Sequence, residues 1–199
     1  MRKILIITLL LLPFGLQAKS LDLFYSTSTE RILFAGESHK DDRARDLFKD
    51  SLLSFKSSGG DTLGLEMVES YKQFLLDDYL AYREGSSEAL SEYLRVRWQY
   101  NTSSYMELIS KARDLGLELL AIDLDRRLNP RETELFPVPP DTSKVRIARE
   151  AHMAKVLCEF RFKKIIILIG SFHSKKRFLP KGLKSECYAD SATFFLSDL

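Results

Sequence analysis

One stretch constrains this chain more than any other: Ile165-Ile166-Ile167-Leu168-Ile169, five aliphatic side chains in a row with no polar break. Successive residues of a strand point to opposite faces, so a strand that does not alternate is buried on both. Such strands belong to parallel sheets whose connections are helices. The rest of the chain agrees. Residues 31–35, 62–65 and 118–122 are further strand-like runs, and longer amphipathic stretches separate them. The expected fold class is α/β with a short, mainly parallel central sheet.

The connections can be read in turn. Residues 41–55 carry Leu47, Leu52 and Phe55 among Asp, Arg and Lys and stop at Ser57-Ser58-Gly59-Gly60, as a crossover helix should. The interval between the second and third strands is too long for one crossover. Residues 69–83, 87–96 and 103–115 read as three helices, the last stopped by Gly116, and this helical insertion is expected to cover one end of the sheet. A loop with Pro130, Pro137, Pro139 and Pro140 then leads to a helix over residues 143–162, with Ser143 as N-cap. Residues 191–196 read as an edge strand.

Residues 1–18 have the pattern of an export signal: Arg2 and Lys3, an apolar stretch from 4 to 12, and Leu16-Gln17-Ala18 as a cleavage site. The apolar stretch is shorter than the ~20 residues of a membrane-spanning helix. Lys19, Ser20 and Leu21 stand where a lipoprotein would carry a cysteine. A single domain over 19–199, periplasmic or extracellular and without a stable membrane anchor, is the expectation. Formal net charge is +2, and removing Arg2 and Lys3 leaves 28 residues of each sign, which argues against a nucleic-acid partner. Cys158 and Cys187 could pair in an oxidising compartment or stand apart. A homodimer is left open.

The chemistry gathers after the strands. The first ends in Gly36-Glu37-Ser38-His39, the second in Glu66, the third in Asp123 and Asp125, and the fourth in Gly170-Ser171-Phe172-His173. Ligands of parallel sheets bind beyond the carboxyl ends of the strands. Glu37, His39, Glu66 and His173 are therefore the candidate site. Imidazoles with carboxylates can hold a divalent metal ion and activate water, act as an oriented general base, or ligate haem iron. Gly36 and Gly170 would allow a sharp exit and close approach of a ligand. Arg149 could reach a carboxylate at the edge. Tyr105, like Trp98 and Tyr100, reads first as core packing, although a tyrosine facing the edge could touch a ligand. His152 reads as a packed or solvated helical residue. Lys175-Lys176-Arg177, Arg126 and Arg127 read as solvated loop charges that could bind anions.

The segments Ile32-Leu33-Phe34-Ala35-Gly36-Glu37-Ser38-His39, Gly64-Leu65-Glu66-Met67, Arg149-Glu150-Ala151-His152-Met153-Ala154 and Gly170-Ser171-Phe172-His173 resemble the superfamily of ChaN-type haem-binding uptake proteins, Tiki metalloproteases, TraB proteins and erythromycin esterases. The insertion with Trp98 and Tyr105 looks most like the ChaN branch. The resemblance implies a three-layer α/β/α fold with Glu37, His39, Glu66 and His173 in the site and Arg149 supporting them. It implies haem or another small-molecule ligand, with His39, His173, Tyr105 and Arg149 as cofactor contacts and a role in iron acquisition. The alternative it leaves is a metal-dependent or His/Glu-based hydrolase in which Glu37, His39, Glu66 and His173 are catalytic or bind a divalent metal ion.

Overall fold

The structure, a computed structural model, describes residues 20–129 and 143–199; the expected export signal at 1–18 and the loop with Pro130, Pro137, Pro139 and Pro140 lie outside the described residues. Along the chain run α1 (Leu21–Thr27), β1 (Ile32–Glu37), α2 (Asp42–Ser57), β2 (Thr62–Glu69), α3 (Gln73–Leu80), α4 (Ser86–Arg97), α5 (Thr102–Asp114), β3 (Glu118–Asp123), α6 (Ser143–Glu159), β4 (Ile165–Gly170), α7 (Leu179–Cys187) and β5 (Ser191–Phe195). Among the described residues the strands form one five-stranded sheet, ordered β3-β2-β4-β1-β5, and every pairing is parallel.

The central strand β4 explains its own sequence. Ile166 and Leu168 point into a core shared with α1 to α5, whereas Ile165, Ile167 and Ile169 point into a second core with α6 and α7. Both faces of the sheet are covered, which gives the three-layer α/β/α arrangement. Each aliphatic side chain buried there stabilises the fold by about 1.5–3 kcal/mol.

The helices differ in detail from the sequence expectation. On α2 the buried stripe is Ala44, Phe48, Leu52 and Phe55, and Leu47 is exposed. Helical spacing selects that stripe, and it carries one charged residue with it, the fully buried Arg45. The insertion begins with a short 3-10 turn at Ser70–Lys72; its helices lie in the α2 layer over a face of the sheet, and Arg97, Trp98 and Tyr100 reach the carboxyl end of the strands. The structure describes α6 from Ser143, and the helix stops at Glu159. The sequence pattern does not predict the short helices α1 and α7. Cys158 and Cys187 are disulfide-bonded, tying the end of α6 to the end of α7 across a separation of 29 residues.

The edge strand β3 has an unusual finish. Gln73 donates from its amide nitrogen to the Leu119 carbonyl and accepts from the Ala121 N–H through its amide oxygen, at 2.8 and 2.7 Å. A side chain thus completes hydrogen bonds that a neighbouring strand would otherwise make.

Candidate functional site

Because the strands are parallel, Glu37, Glu66, Asp123 and Gly170 arrive at one edge of the sheet. The structure brings the four expected residues together there. His39 and His173 line one cleft of about 330 Å³, with Glu37, Ser38, Lys40, Tyr100, Gly170, Ser171 and Phe172. Glu66 sits behind its floor, where Oε2 accepts the Gly170 N–H at 2.6 Å.

Glu37 closes β1 and faces the α2 layer. Its Oε1 accepts from Tyr105 Oη at 2.7 Å and lies 3.0 Å from His39 Nδ1, while Oε2 accepts from Arg45 Nε at 3.0 Å. An ionised carboxylate only accepts, so the Nδ1 proton of His39 points at Glu37 and Nε2 is left as the acceptor of the neutral ring. Arg45 also donates to Asp42, Ser104, the His39 carbonyl and Tyr105. Burial works against the Arg45 charge, but Glu37, Tyr105 and Asp42 together outweigh it and raise its pKa. Burial and the Glu37 charge both push the Tyr105 hydroxyl up, so it stays protonated and donates. Tyr105 is fully buried beneath Glu37 and does not reach the cleft; Tyr100 does. Trp98 and Tyr100 pack against the His39 ring, at centroid distances of 4.7 and 5.3 Å.

Glu66 belongs to a second network on the α6 side. Arg149 donates from Nη2 to Glu66 Oε1 at 2.8 Å and from Nε to Asp123 Oδ1 at 2.7 Å. Arg97 continues the chain, donating to Asp123 Oδ2 at 2.8 Å and to Glu69 Oε1 at 3.0 Å. Burial opposes ionisation of Glu66, but Arg149, both imidazoles and the Gly170 N–H prevail and hold its carboxyl below the ordinary range. Burial pushes the Asp123 carboxyl up against the pull of Arg149. His173 is held by a residue the sequence reading passed over: Nδ1 lies 3.0 Å from Oε1 of Glu150, and Nε2 is 3.6 Å from Glu66 Oε1. Arg146 donates to the other Glu150 oxygen.

The two glycines interlock the loops. A Cβ on Gly170 would lie 3.1 Å from His39 Nε2, and one on Gly36 would lie 2.7 Å from Ser174 Oγ. Each Gly-x-x-His motif therefore leaves room for a side chain from the other loop, rather than for a sharp exit or a ligand. Both glycines have ordinary φ values.

Other candidates fall outside the cleft. Asp125 caps the turn at Arg126–Leu128 and pairs with Arg127, and the Arg126 N–H donates to Glu69. His152 Nε2 lies 2.7 Å from Ser70 Oγ, and burial lowers its pKa. Among the described residues no three His, Cys, Asp or Glu side chains are grouped to hold a metal ion. The expected metal set of Glu37, His39, Glu66 and His173 is not formed, because Glu37 turns its oxygens to Arg45 and Tyr105, and Glu66 turns its own to Arg149 and the Gly170 N–H.

A family model described as haem-binding uptake, Tiki superfamily, ChaN, matches residues 23–131, more than half of the chain. The chain belongs to this family. Among solved structures, ChaN of Campylobacter jejuni, described with cofacial haem binding, is 15% identical with a TM-score of 0.60, covering 87% of this chain and 82% of that one. The MARTX toxin effector domain RRSP from Vibrio vulnificus is 20% identical with a TM-score of 0.60, covering 88% of this chain and 36% of that one. The C-terminal region of Pasteurella multocida toxin, described with a thiol-protease-like catalytic triad, is 13% identical with a TM-score of 0.59, covering 78% of this chain and 21% of that one. The chain thus spans about a third and a fifth of the two toxin chains. At these identities the likeness establishes the shared α/β fold. No curated protein gives a significant sequence match.

Proposed function

We propose that this chain binds haem at the His39 cleft, as an exported protein of iron acquisition whose residues 1–18 direct it out of the cytoplasm. One observation carries the proposal within the family: His39 is anchored at Nδ1 by Glu37, makes no hydrogen bond at Nε2 among the described residues, and stands between Tyr100 and Gly170 on an open cleft. The residues present fit the group. Neutral imidazole is an iron ligand, and a carboxylate on its far nitrogen fixes ring and tautomer and raises basicity. Arg45, fully buried, is the counter-ion of that carboxylate at 3.0 Å. Tyr100 and the exposed ring of Phe172 offer apolar faces for a macrocycle. When bound, haem would supply an iron that the His39 imidazole can ligate. The cleft is at the small end of the roughly 300–1,000 Å³ range of ligand sites, so it encloses only part of such a ligand.

Titration of the purified protein with haemin tests this. The expected result is a saturable shift of the Soret band that His39→Ala abolishes and His173→Ala only weakens, since His173 Nε2 already faces Glu66. An unchanged spectrum with the unsubstituted protein sinks the proposal.

A second reading rests on a different observation: two imidazoles, each oriented at Nδ1 by a carboxylate, line the same cleft. Such a pair can take a proton from water and return it to a leaving group, making a His/Glu-based hydrolase in which Glu37 and Glu150 position the rings. An ester and peptide substrate panel tests it. Turnover no higher than that of a His39→Ala/His173→Ala control excludes it for those substrates.

A further inference from the structure

One oxygen of Glu37 serves two donors. Oε1 accepts from the Tyr105 hydroxyl at 2.7 Å and lies 3.0 Å from His39 Nδ1, while Oε2 accepts from Arg45. The surroundings are closed to solvent: Glu37 is 2% exposed, and Arg45 and Tyr105 have no exposed surface. On an exposed carboxylate, water would replace any donor that was lost, whereas here the fold alone supplies the donors. The Tyr105 hydroxyl accepts from Arg45 Nη2 at 2.9 Å, so its one proton is directed at Glu37, and the Arg45 guanidinium lies 3.8 Å over its ring. A hydrogen bond to a carboxylate stabilises its charge and weakens it as an acceptor for anything else. Tyr105 and His39 thus compete for Oε1. The outcome is felt at the far side of the imidazole, because Nε2 becomes a stronger donor to a metal as the bond from Nδ1–H to its carboxylate tightens.

We propose that Tyr105 is a positioning residue acting through Glu37: by occupying part of Oε1 it limits how strongly Glu37 draws on the Nδ1 proton of His39, and so sets the donor strength of Nε2. Resting on the haem reading, this deepens it: a tyrosine that never reaches the cleft tunes the iron bound there. Ser104, its neighbour on α5, supplies the contrast. Its Oγ accepts from Arg45 Nη1 at 3.2 Å and makes no hydrogen bond to Glu37. Ser104 therefore belongs to the same buried network without touching the shared oxygen.

The experiment compares the unsubstituted protein with Tyr105→Phe and Ser104→Ala. Tyr105→Phe removes the hydroxyl and keeps the ring under Arg45, which retains Glu37, Asp42, Ser104 and the His39 carbonyl as acceptors. In the ligand-free protein the Nδ1–H proton resonance of His39, assigned by its absence from His39→Ala, should move downfield in Tyr105→Phe and stay in place in Ser104→Ala. With haemin bound, Tyr105→Phe should lower the reduction potential of the iron, because a stronger axial donor favours the ferric state. Its haemin Kd should fall about threefold, the size of a fraction of one hydrogen bond. A resonance and a potential that both stay put in Tyr105→Phe overturn the role of Tyr105 and leave haem binding standing. Equal movement in Ser104→Ala overturns it too, since the effect then comes from loosening around Arg45. Absence of haemin binding by the unsubstituted protein overturns the haem reading, and a resonance that still moves then keeps Tyr105 as the residue that governs His39. Circular dichroism of both variants separates tuning from lost folding.

Discussion

His39 takes its carboxylate from its own strand end, Glu37 two residues earlier, and that carboxylate rests on an arginine with no exposed side-chain surface. His173 takes its carboxylate from Glu150 on α6, a helix that must be docked from elsewhere in the chain. The two loops share one sequence pattern on adjacent strands, yet the first is oriented locally and the second by tertiary packing. The rings differ in exposure accordingly, 25% for the His39 side chain and 12% for that of His173. The same motif thus leaves one imidazole more open on the cleft and holds the other within a network of charges.

The comparison can be broken most forcefully at Arg45. Arg45→Ala leaves the buried Glu37 without its counter-ion, and loss of one partner of a buried pair costs about 3–5 kcal/mol. Urea denaturation should show a loss of that size. Glu37→Gln introduced into Arg45→Ala should recover part of it, and recovery of nothing would mean that the charge of Glu37 is not what Arg45 offsets.

The second test acts on the other loop. The Cys158–Cys187 bond ties α6, which carries Glu150, to α7, which follows the His173 loop. Replacing both cysteines by serine should cost about 2–4 kcal/mol. Amide exchange should quicken around α7 and His173 before it does around His39, and equal loss at both loops would break the distinction.

A third test uses the interlock. Gly170→Ala places a methyl against His39 Nε2 at 3.1 Å, and overpacking of this kind costs about 1–3 kcal/mol. Haemin affinity should fall about tenfold, equivalent to roughly 1.4 kcal/mol. Gly36→Ala presses on Ser174 in the other loop and should leave the Soret band where it is. Urea curves and haemin titrations of the two variants, side by side, decide this.

The smallest effect is in pH. Burial holds His152, on the α6 side, below its ordinary 6.5. A group with a depressed folded pKa contributes stability above its unfolded value and loses it as pH falls through the folded one. Melting temperature should therefore decline as pH drops below about 6.5, and His152→Gln should flatten that first decline. A later fall below about pH 4.5 belongs to Glu66, whose carboxyl Arg149 holds low against the effect of burial.

The sheet was legible because β4 carries its two-sided burial as an unbroken aliphatic run, and because Gly-x-x-His ends two strands. The supporting residues were harder to read. Arg45 had a signal: it shares the helical stripe of Ala44, Phe48, Leu52 and Phe55, and a charge on a buried stripe implies a buried partner. Glu150 had only its place beside Arg149, since a helix turns neighbouring residues to different sides and the sequence does not say which meets the site. Tyr100 and Tyr105 could not be separated by pattern, because one stands before α5 and the other within it. The helices α1 and α7 are too short for periodicity to reveal.

Gln73 has a consequence for how copies of this molecule could meet. A sheet grows by lending unmet backbone groups along its flank to the next chain, and here the β3 flank already has a side chain seated on it. Among the described residues that leaves β5 as the other edge of the sheet, and a pairing of β5 with its own copy about a two-fold axis would close on itself instead of polymerising.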